Sequence, residues 1–329
     1  MPYEKPWLSV DEQLALLTQR GLRIDNHAAA SACLERIGYY RLSGYMYAFR
    51  QRSGDYCPLP KRVNNRKTDR IVLDEFRAGS SFQDCIELYV FDKKLRSAML
   101  DALERIEIAI RVDIAHLLGK RDTFAYLSLN EFHDSFARRR SGKDKSEHEK
   151  WLEKQQGLID RSREDFIIHN KNKTGLPLAI WIACEVWDFG AMSTIFKYMK
   201  QEDQDEISSR YGISNGRIFS TWLETFNYIR NVCAHHNRLW NRNIEKIPKL
   251  PPAKDVPWVT SFLDKSGNAN SRCFLELMML SHVLKRINPN SSWSARIAVH
   301  LKSFPNLDAV GLNLAGMGAP KGWEKLLTQ

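Results

Sequence analysis

The stretch from Ser80 to Leu118 constrains the fold of this chain more than any other. Its apolar side chains recur at intervals of three and four residues, as one buried face of an α-helix requires. They are Phe82, Cys85, Ile86, Tyr89, Leu95, Met99, Leu103, Ile106 and Ile110. An α-helix rises 1.5 Å per residue, so an unbroken helix here would extend roughly 55 Å. We therefore expect either a long spine helix or a helix interrupted by a break.

The same periodicity covers most of the remaining sequence, whereas alternating strand patterns are scarce. Shorter helices are predicted at 10–20, 26–37, 176–199, 219–241, 272–286 and 292–304. Residues 52–72 interrupt the pattern with Arg, Lys, Asn and Pro, and we predict a loop there. From Arg50 to Arg70 there are seven basic and two acidic residues, which suits either a flexible clamp for RNA or an ordinary exposed loop. The predicted fold class is all-α.

Charge and composition narrow the class of partner. The chain has 329 residues, of which 43% are hydrophobic, and a formal net charge of +10. Such an excess favours a polyanionic partner, which is RNA, DNA or an anionic membrane surface. The start of the chain lacks the apolar core of a signal peptide, and no segment has the ~18 uncharged apolar residues of a membrane span. The six cysteines include no C-x-x-C pair, which argues against a zinc ribbon or a disulfide scaffold. We expect a cytoplasmic protein without a membrane partner.

The stretch 230–242, RNVCAHHNRLWNR, concentrates basic and amide side chains at the end of a predicted helix. The apolar side chains form a buried stripe: Phe219, Trp222, Leu223, Phe226, Ile229 and Cys233. Polar side chains recur at intervals of four, three and four on a second face: Asn231, His235, Arg238 and Arg242. Arg230 and His235 are about 140° apart around an ideal helix. They can converge only on a substrate in a groove, across a dimer seam, or if the helix loosens near Ala234.

Arg230, Asn231 and His235 together provide the groups that metal-independent RNA cleavage needs. A histidine can act as acid or base near neutral pH. An arginine supplies a planar, permanent cation that stabilises a pentavalent phosphate, and an asparagine can orient the reacting groups. No cofactor is required. Attack by the 2′-hydroxyl would restrict the substrate to RNA.

Two other interpretations of this stretch stay open on spacing alone. It can be the polar face of an ordinary helix, since R-x-x-x-x-H arises by chance. The same spacing follows Arg111, where Glu107 lies four residues earlier and a helical ion pair explains the arginine better. A metal site would use Cys233, His235 and His236, but adjacent helical residues point about 100° apart and no fourth ligand is evident nearby. We predict no metal.

The stretch resembles the R-N-x-x-A-H-x-x-R-L-W-N signature of the abortive-infection Abi family, of the AbiD/AbiF-like kind. That family belongs to the HEPN superfamily of helical ribonucleases, which share an R-x(4–6)-H motif. Five further blocks resemble the family's sequence in the same order, at 5–24, 37–49, 102–116, 176–196 and 304–327. The third of them contains an I-E-x-x-x-R element and the fourth an E-x-x-x-F-G element.

The resemblance implies an all-helical, HEPN-type bundle with additional N- and C-terminal helices, whose motif lines the cleft of a homodimer. It also implies a single Abi-like helical unit over 1–329. Within that unit we predict an N-terminal helical region with a basic loop (1–72), a HEPN-like core (80–245) and a C-terminal helical extension (246–329).

The activity that the resemblance implies is that of a metal-independent RNA endonuclease. Such an enzyme would act in phage defence by abortive infection, or as a toxin, in association with a small non-coding RNA. Arg230 and His235 are then the catalytic pair, with Asn231 beside them. His236 remains a rival for the histidine role, because R-x(5)-H is also permitted.

The remaining basic residues of the motif are assigned to RNA binding, and they are His236, Arg238 and Arg242. Two alternatives to a ribonuclease remain. One is a non-catalytic RNA-binding module that sequesters a structured RNA or is regulated by it. The other is a DNA-binding protein, which the positive charge permits.

Overall fold

The computed structural model describes residues 6–63, 66–139, 144–263 and 272–328. Its contacts divide the chain into two compact units. The first comprises Met1–Arg96 and Val299–Gly316, and the second comprises Ser97–Ala298 and Met317–Gln329. The chain is mainly α-helical, which confirms the predicted fold class. The sequence-based boundaries near residues 72, 80 and 245 stay predictions.

Three helices, a β-hairpin and the start of a long helix make up most of the first unit. The helices are α1 (Val10–Gln19), α2 (His27–Ile37) and α3 (Tyr39–Met46). The hairpin strands are β1 (Arg50–Val63) and β2 (Arg66–Phe76). The long helix α4 (Phe82–Gly119) begins in this unit and ends in the second. It runs without a break, so of the two alternatives the structure contains the long uninterrupted helix.

The hairpin corrects the prediction of a loop at 52–72. Its strands run antiparallel, from the pair Arg50 and Phe76 to the pair Val63 and Arg66, with irregular register between them. Prolines at 58 and 60 argued against a strand, because proline cannot donate to a sheet ladder. In a two-stranded hairpin each strand has one unpaired side, so proline is tolerated where its nitrogen faces away from the partner strand. The side chains between 55 and 69 lie outside the described residues.

A buried polar network joins α3 to α4 inside the first unit. The hydroxyl of Tyr45 donates to the carboxylate of Asp92 at 2.7 Å and accepts from Arg96 Nη1 at 2.8 Å. Arg96 also forms a direct ion pair with Asp92, one helical turn away. All three residues are buried. Tyr45 is therefore a core residue.

In the described residues, the second unit holds the end of α4, eight further helices and the start of a ninth. They are α5 (Glu147–Arg161), α6 (Asp165–Thr174), α7 (Ile180–Ala183), α8 (Phe189–Tyr198), α9 (Gln201–Arg210), α10 (Gly216–Ala234), α11 (Cys273–Ile287) and α13 (Trp323–Thr328), with the start of α12 (Trp293–Lys302). Helix α10 packs against α8 and α9. In the described ranges, no helix is both long and apolar enough to cross a membrane.

The predicted helix at 176–199 is two short helices with a break between them. Helix α7 ends at Ala183, a 3-10 turn covers Cys184–Val186, and α8 begins at Phe189. Asp188 lies in the break and caps α8, because its side chain accepts from the amide of Ala191 at 2.7 Å. Because the helix is interrupted here, the side chain of Asp188 is available to cap α8.

Candidate functional site

Helix α10 ends inside the motif, at Ala234. The amide of Asn237 donates to the carbonyl of Val232, and the amide of His236 donates to that of Cys233, both at 3.0 Å. This pair of hydrogen bonds is a Schellman motif, which satisfies the last carbonyls of a helix. The residue after the C-cap in this motif takes the left-handed conformation, and His236 does so with φ of 57°.

This helix end corrects the predicted helix at 219–241 and its polar stripe. Arg238 and Arg242 follow the helix, so they do not share a helical face with Asn231 and His235. The predicted apolar stripe is confirmed, since all six of its side chains are buried. The apolar periodicity continues up to Cys233. The end of the helix was not predicted, because a histidine and not a glycine takes the left-handed conformation there.

The two histidines of the motif are both exposed at this helix end. His235 is the C-cap residue, and its imidazole has no hydrogen-bond partner among the described residues. Cys233 is buried, so it does not share a surface with the two imidazoles. Within the described ranges, no group of three or more His, Cys, Asp or Glu side chains is arranged to hold a metal ion.

Arg230 is partly buried, and its charge acts on two carboxylates of the second unit. Burial raises the pKa of Glu107, and the positive charges of Arg111 and Arg230 act in the opposite direction. Burial alone would raise the pKa of Asp188. Hydrogen bonds from Lys154 and a backbone amide, together with the charge of Arg230, outweigh burial and lower this pKa below the ordinary value. Both carboxylates therefore interact electrostatically with the Arg230 guanidinium.

Asn231 lies next to this cluster and is exposed. Arg230 Nη1 makes a long contact of 3.5 Å with Asn231 Oδ1. One turn earlier, Asn227 approaches the first turn of α8 at Gly190. A Cβ at Gly190 would lie 3.3 Å from an Asp188 oxygen and 3.5 Å from the Asn227 amide nitrogen, so the glycine allows close approach.

Arg111 fixes the break before α8 to helix α4. It forms the predicted ion pair with Glu107 at 2.8 Å. Its Nη2 also donates to the carbonyl of Trp187 at 2.8 Å, and its Nη1 lies 3.5 Å from a carboxylate oxygen of Glu185. The family elements I-E-x-x-x-R and E-x-x-x-F-G therefore meet beside Arg230. Three blocks that are distant in sequence form one charged cluster.

The two arginines after the helix are both partly exposed. Arg242 packs back onto α10, where its Nε donates to the hydroxyl of Tyr228 at 2.8 Å. Its guanidinium carbon lies 5.7 Å from the centre of the Tyr228 ring. This contact holds Arg242 against α10, although Arg242 itself follows the helix.

Sequence reasoning missed Asp188 and Asn227, and it assigned Glu107 only to Arg111. Asp188 was hidden because 176–199 was predicted as one helix. The signal that can reveal it is an aspartate directly before the first residue of a helical pattern, which is typical of an N-cap. Asn227 lies three residues before Arg230, and that spacing on one helix face was available in the sequence.

Comparison with known proteins identifies one family. A family model described as Abi-like protein matches residues 32–241. No curated protein and no solved structure matches the chain significantly. The matched region covers more than half of the chain, and it includes the Arg230 cluster and the end of α10. This chain therefore belongs to the Abi-like protein family.

Proposed function

We propose that this protein is a metal-independent RNA endonuclease of the HEPN superfamily, in the AbiD/AbiF-like branch of its family. Membership of the Abi-like family supports a role in abortive infection or phage defence. The observation that carries the proposed activity is the placement of the motif. Arg230 lies in a charged cluster, and His235 follows at the exposed end of the same helix.

His235 is the proton-transfer group of this proposal. An exposed imidazole without a competing hydrogen bond can accept the proton of a 2′-hydroxyl or protonate the departing 5′-oxygen. Arg230 stabilises the charge of the phosphorane. Asn231, in contact with Arg230, orients the reacting groups.

Glu107 and Asp188 position Arg230 in this mechanism. An arginine side chain has many rotamers, and two nearby carboxylates restrict them before the substrate binds. The carboxylates also lower the net charge of the cluster. Arg238 and Arg242 are proposed phosphate contacts, with His236 beside them. The packing of Arg242 on Tyr228 holds it ready for such a contact.

A homodimer is part of the proposal, because Arg230 and His235 do not face each other along one helix. Exposed apolar side chains next to the cluster support it. Ile108 and Val112, one turn apart on α4, are 51% and 41% exposed, and they flank Arg111. A second copy that covers them would remove apolar surface from water. It would bring two motifs towards one cleft.

The test of this proposal is cleavage of labelled RNA by purified variants. Arg230→Ala and His235→Ala should each abolish cleavage and leave the helical content unchanged. His116→Ala is the matched control, because His116 is also exposed and also follows an arginine at five residues. A chelator should not reduce the activity.

Three outcomes contradict the proposal in different ways. Full cleavage by both alanine variants removes the motif from the chemistry. Loss of activity in the chelator indicates a metal-dependent enzyme. Binding of RNA that remains intact indicates a non-catalytic RNA-binding module. The RNA that copurifies with the His235→Ala protein identifies a non-coding RNA partner, if one is bound.

A further inference from the structure

The first unit contains a cavity of about 990 Å³ that the proposed ribonuclease activity does not use. Its wall is mainly apolar and includes the aromatic side chains of Trp7, Tyr39 and Tyr40. Trp7 is 84% exposed and Tyr40 is 76% exposed. Leaving so much aromatic surface in water is unfavourable, and such surface next to a cavity is typical of a binding site.

Local structure fixes the backbone next to these aromatic side chains. Trp7 lies just before α1, where Ser9 and Glu12 form a capping box that fixes the entry of the chain. Gly38 takes a φ of 88° between α2 and α3, which a larger residue adopts only with strain. That turn starts α3 at Tyr39. The Tyr39 ring meets the Tyr40 ring edge to face at 5.8 Å.

Two arginines bring positive charge to the wall of the cavity. Arg20 and Arg50 both bind the carboxylate of Asp74, at 2.9 Å and 2.8 Å. All three residues line the cavity. One carboxylate balances only one guanidinium, so the group retains a positive charge. Strand β1 begins at Arg50, in the segment with seven basic and two acidic residues up to Arg70.

We propose that this cavity binds a nucleotide, with the base stacked on Trp7 or Tyr40 and the phosphate near Arg20 and Arg50. Aromatic side chains accept any base, because every base has a flat apolar face. The residual positive charge matches a phosphate and would not attract a neutral apolar peptide. The nucleotide can be free or can be one unit of a single strand, and the chemistry of recognition is the same.

Calorimetric titration of the full chain tests this proposal. The probes are adenosine monophosphate and a short single-stranded oligodeoxyadenylate. Neither can be cut through a 2′-hydroxyl, so the result does not depend on the proposed ribonuclease activity. We expect at least one probe to bind. Trp7→Ala or Tyr40→Ala, whichever removes the ring that stacks on the base, should weaken binding roughly tenfold, the order expected for loss of one base–aromatic stack.

The variants distinguish this site from general attraction to a basic protein. Tyr47→Ala is the matched control, because Tyr47 is an exposed aromatic residue of the first unit outside the cavity wall. Arg20→Gln should also weaken binding. Preference for the monophosphate identifies a free nucleotide, and preference for the oligomer identifies a strand. Absence of binding by both probes, or equal binding by Trp7→Ala, Tyr40→Ala and Tyr47→Ala, overturns the proposal.

Discussion

His236 has a backbone conformation that distinguishes it from every other non-glycine residue described. Its φ is 57°, and a left-handed conformation costs an L-residue about 1–2 kcal/mol. Histidine tolerates this conformation better than most side chains do. This strained residue is next to His235, the proposed catalytic histidine. Substitutions at His236 that relieve the strain can therefore show which histidine acts.

His236→Gly should raise the free energy of unfolding by about 1 kcal/mol, because glycine adopts this conformation without strain. Cleavage of RNA should persist, since His235 is the proposed acid–base group. His236→Asn, which also tolerates a positive φ, controls for the loss of the imidazole alone. Urea unfolding and the cleavage assay measure the two effects. Loss of cleavage in both His236 variants, with stability intact, would make His236 the acting histidine.

Glu276 is a second residue whose environment leads to a prediction. It is fully buried in α11, and neither carboxylate oxygen has a hydrogen-bond partner among the described residues. Burial raises its pKa to about 8. Between the unfolded pKa and that pH, the folded protein therefore holds a proton that the unfolded chain has already lost.

The stability contributed by this proton is complete below the unfolded pKa and is lost as pH rises through the folded pKa. Relative to Glu276→Gln, the wild-type protein should lose about 1.4 kcal/mol per pH unit. The loss should extend from the unfolded pKa of about 4.3 to about 8. Urea unfolding at several pH values measures the difference. Glu202→Gln, at an exposed glutamate, is the control and should show no such trend. A constant difference for Glu276→Gln would contradict the buried, protonated state.

The motif residues and their neighbours differ in how far the sequence predicts them. Arg230, Asn231 and His235 can be proposed from the sequence alone, because their residue types indicate the chemistry of a short motif. The environment of Arg230 does not, because Glu107, Asp188 and Asn227 come from three different elements. Only the fold brings them together. The end of α10 was missed because no glycine marks the left-handed position that His236 occupies.

At the scale of elements, α4 is the best-predicted feature of the chain. Thirty-eight residues at helical periodicity form one helix, because long, regular patterns outweigh local exceptions. The hairpin at 50–76 and the break before α8 were missed. A hairpin depends on pairing between strands, which local propensity reports poorly. The break depends on a capping aspartate within an otherwise apolar stretch.

Two of the ion pairs on helix α4 should differ sharply in how much they contribute to the free energy of unfolding. Asp92 pairs with Arg96 in the core of the first unit, and its loss leaves a buried cation. Asp92→Asn should therefore lower the free energy of unfolding by about 3 kcal/mol. Tyr45→Phe, which removes one hydroxyl from this network, should cost about 1 kcal/mol.

The matched control is Asp101→Asn on the same helix. Asp101 pairs with Arg296 at 2.9 Å, but both side chains are largely exposed. Its loss should cost less than about 1 kcal/mol. Equal effects of Asp92→Asn and Asp101→Asn on urea unfolding would show that burial does not govern these pairs.

At the scale of the whole molecule, the proposed function rests on two features, the net charge of +10 and the exposed apolar residues on α4. The charge favours a polyanion, and the apolar residues favour a second copy of the chain. Composition alone predicts the first feature. The second needs the structure, because it rests on the exposure of Ile108 and Val112.

Val112→Glu should convert a dimer into a monomer and abolish RNA cleavage, because it places a charge in the proposed apolar interface. Light scattering after size-exclusion chromatography gives the mass, and the cleavage assay gives the activity. Val90→Glu is the control, since Val90 also lies on α4 and is exposed to a similar degree, 38% against 41%. A wild-type monomer that cleaves RNA would contradict the proposal that two copies of the chain form one active cleft.

The central claim is that Arg230 and His235 cut RNA through its 2′-hydroxyl. Analysis of the ends produced by the purified protein in the presence of a chelator tests it most directly. We expect new 5′-hydroxyl ends and new 2′,3′-cyclic phosphate ends, both absent with Arg230→Ala or His235→Ala. Intact RNA, or products that end in a 3′-hydroxyl, would contradict it.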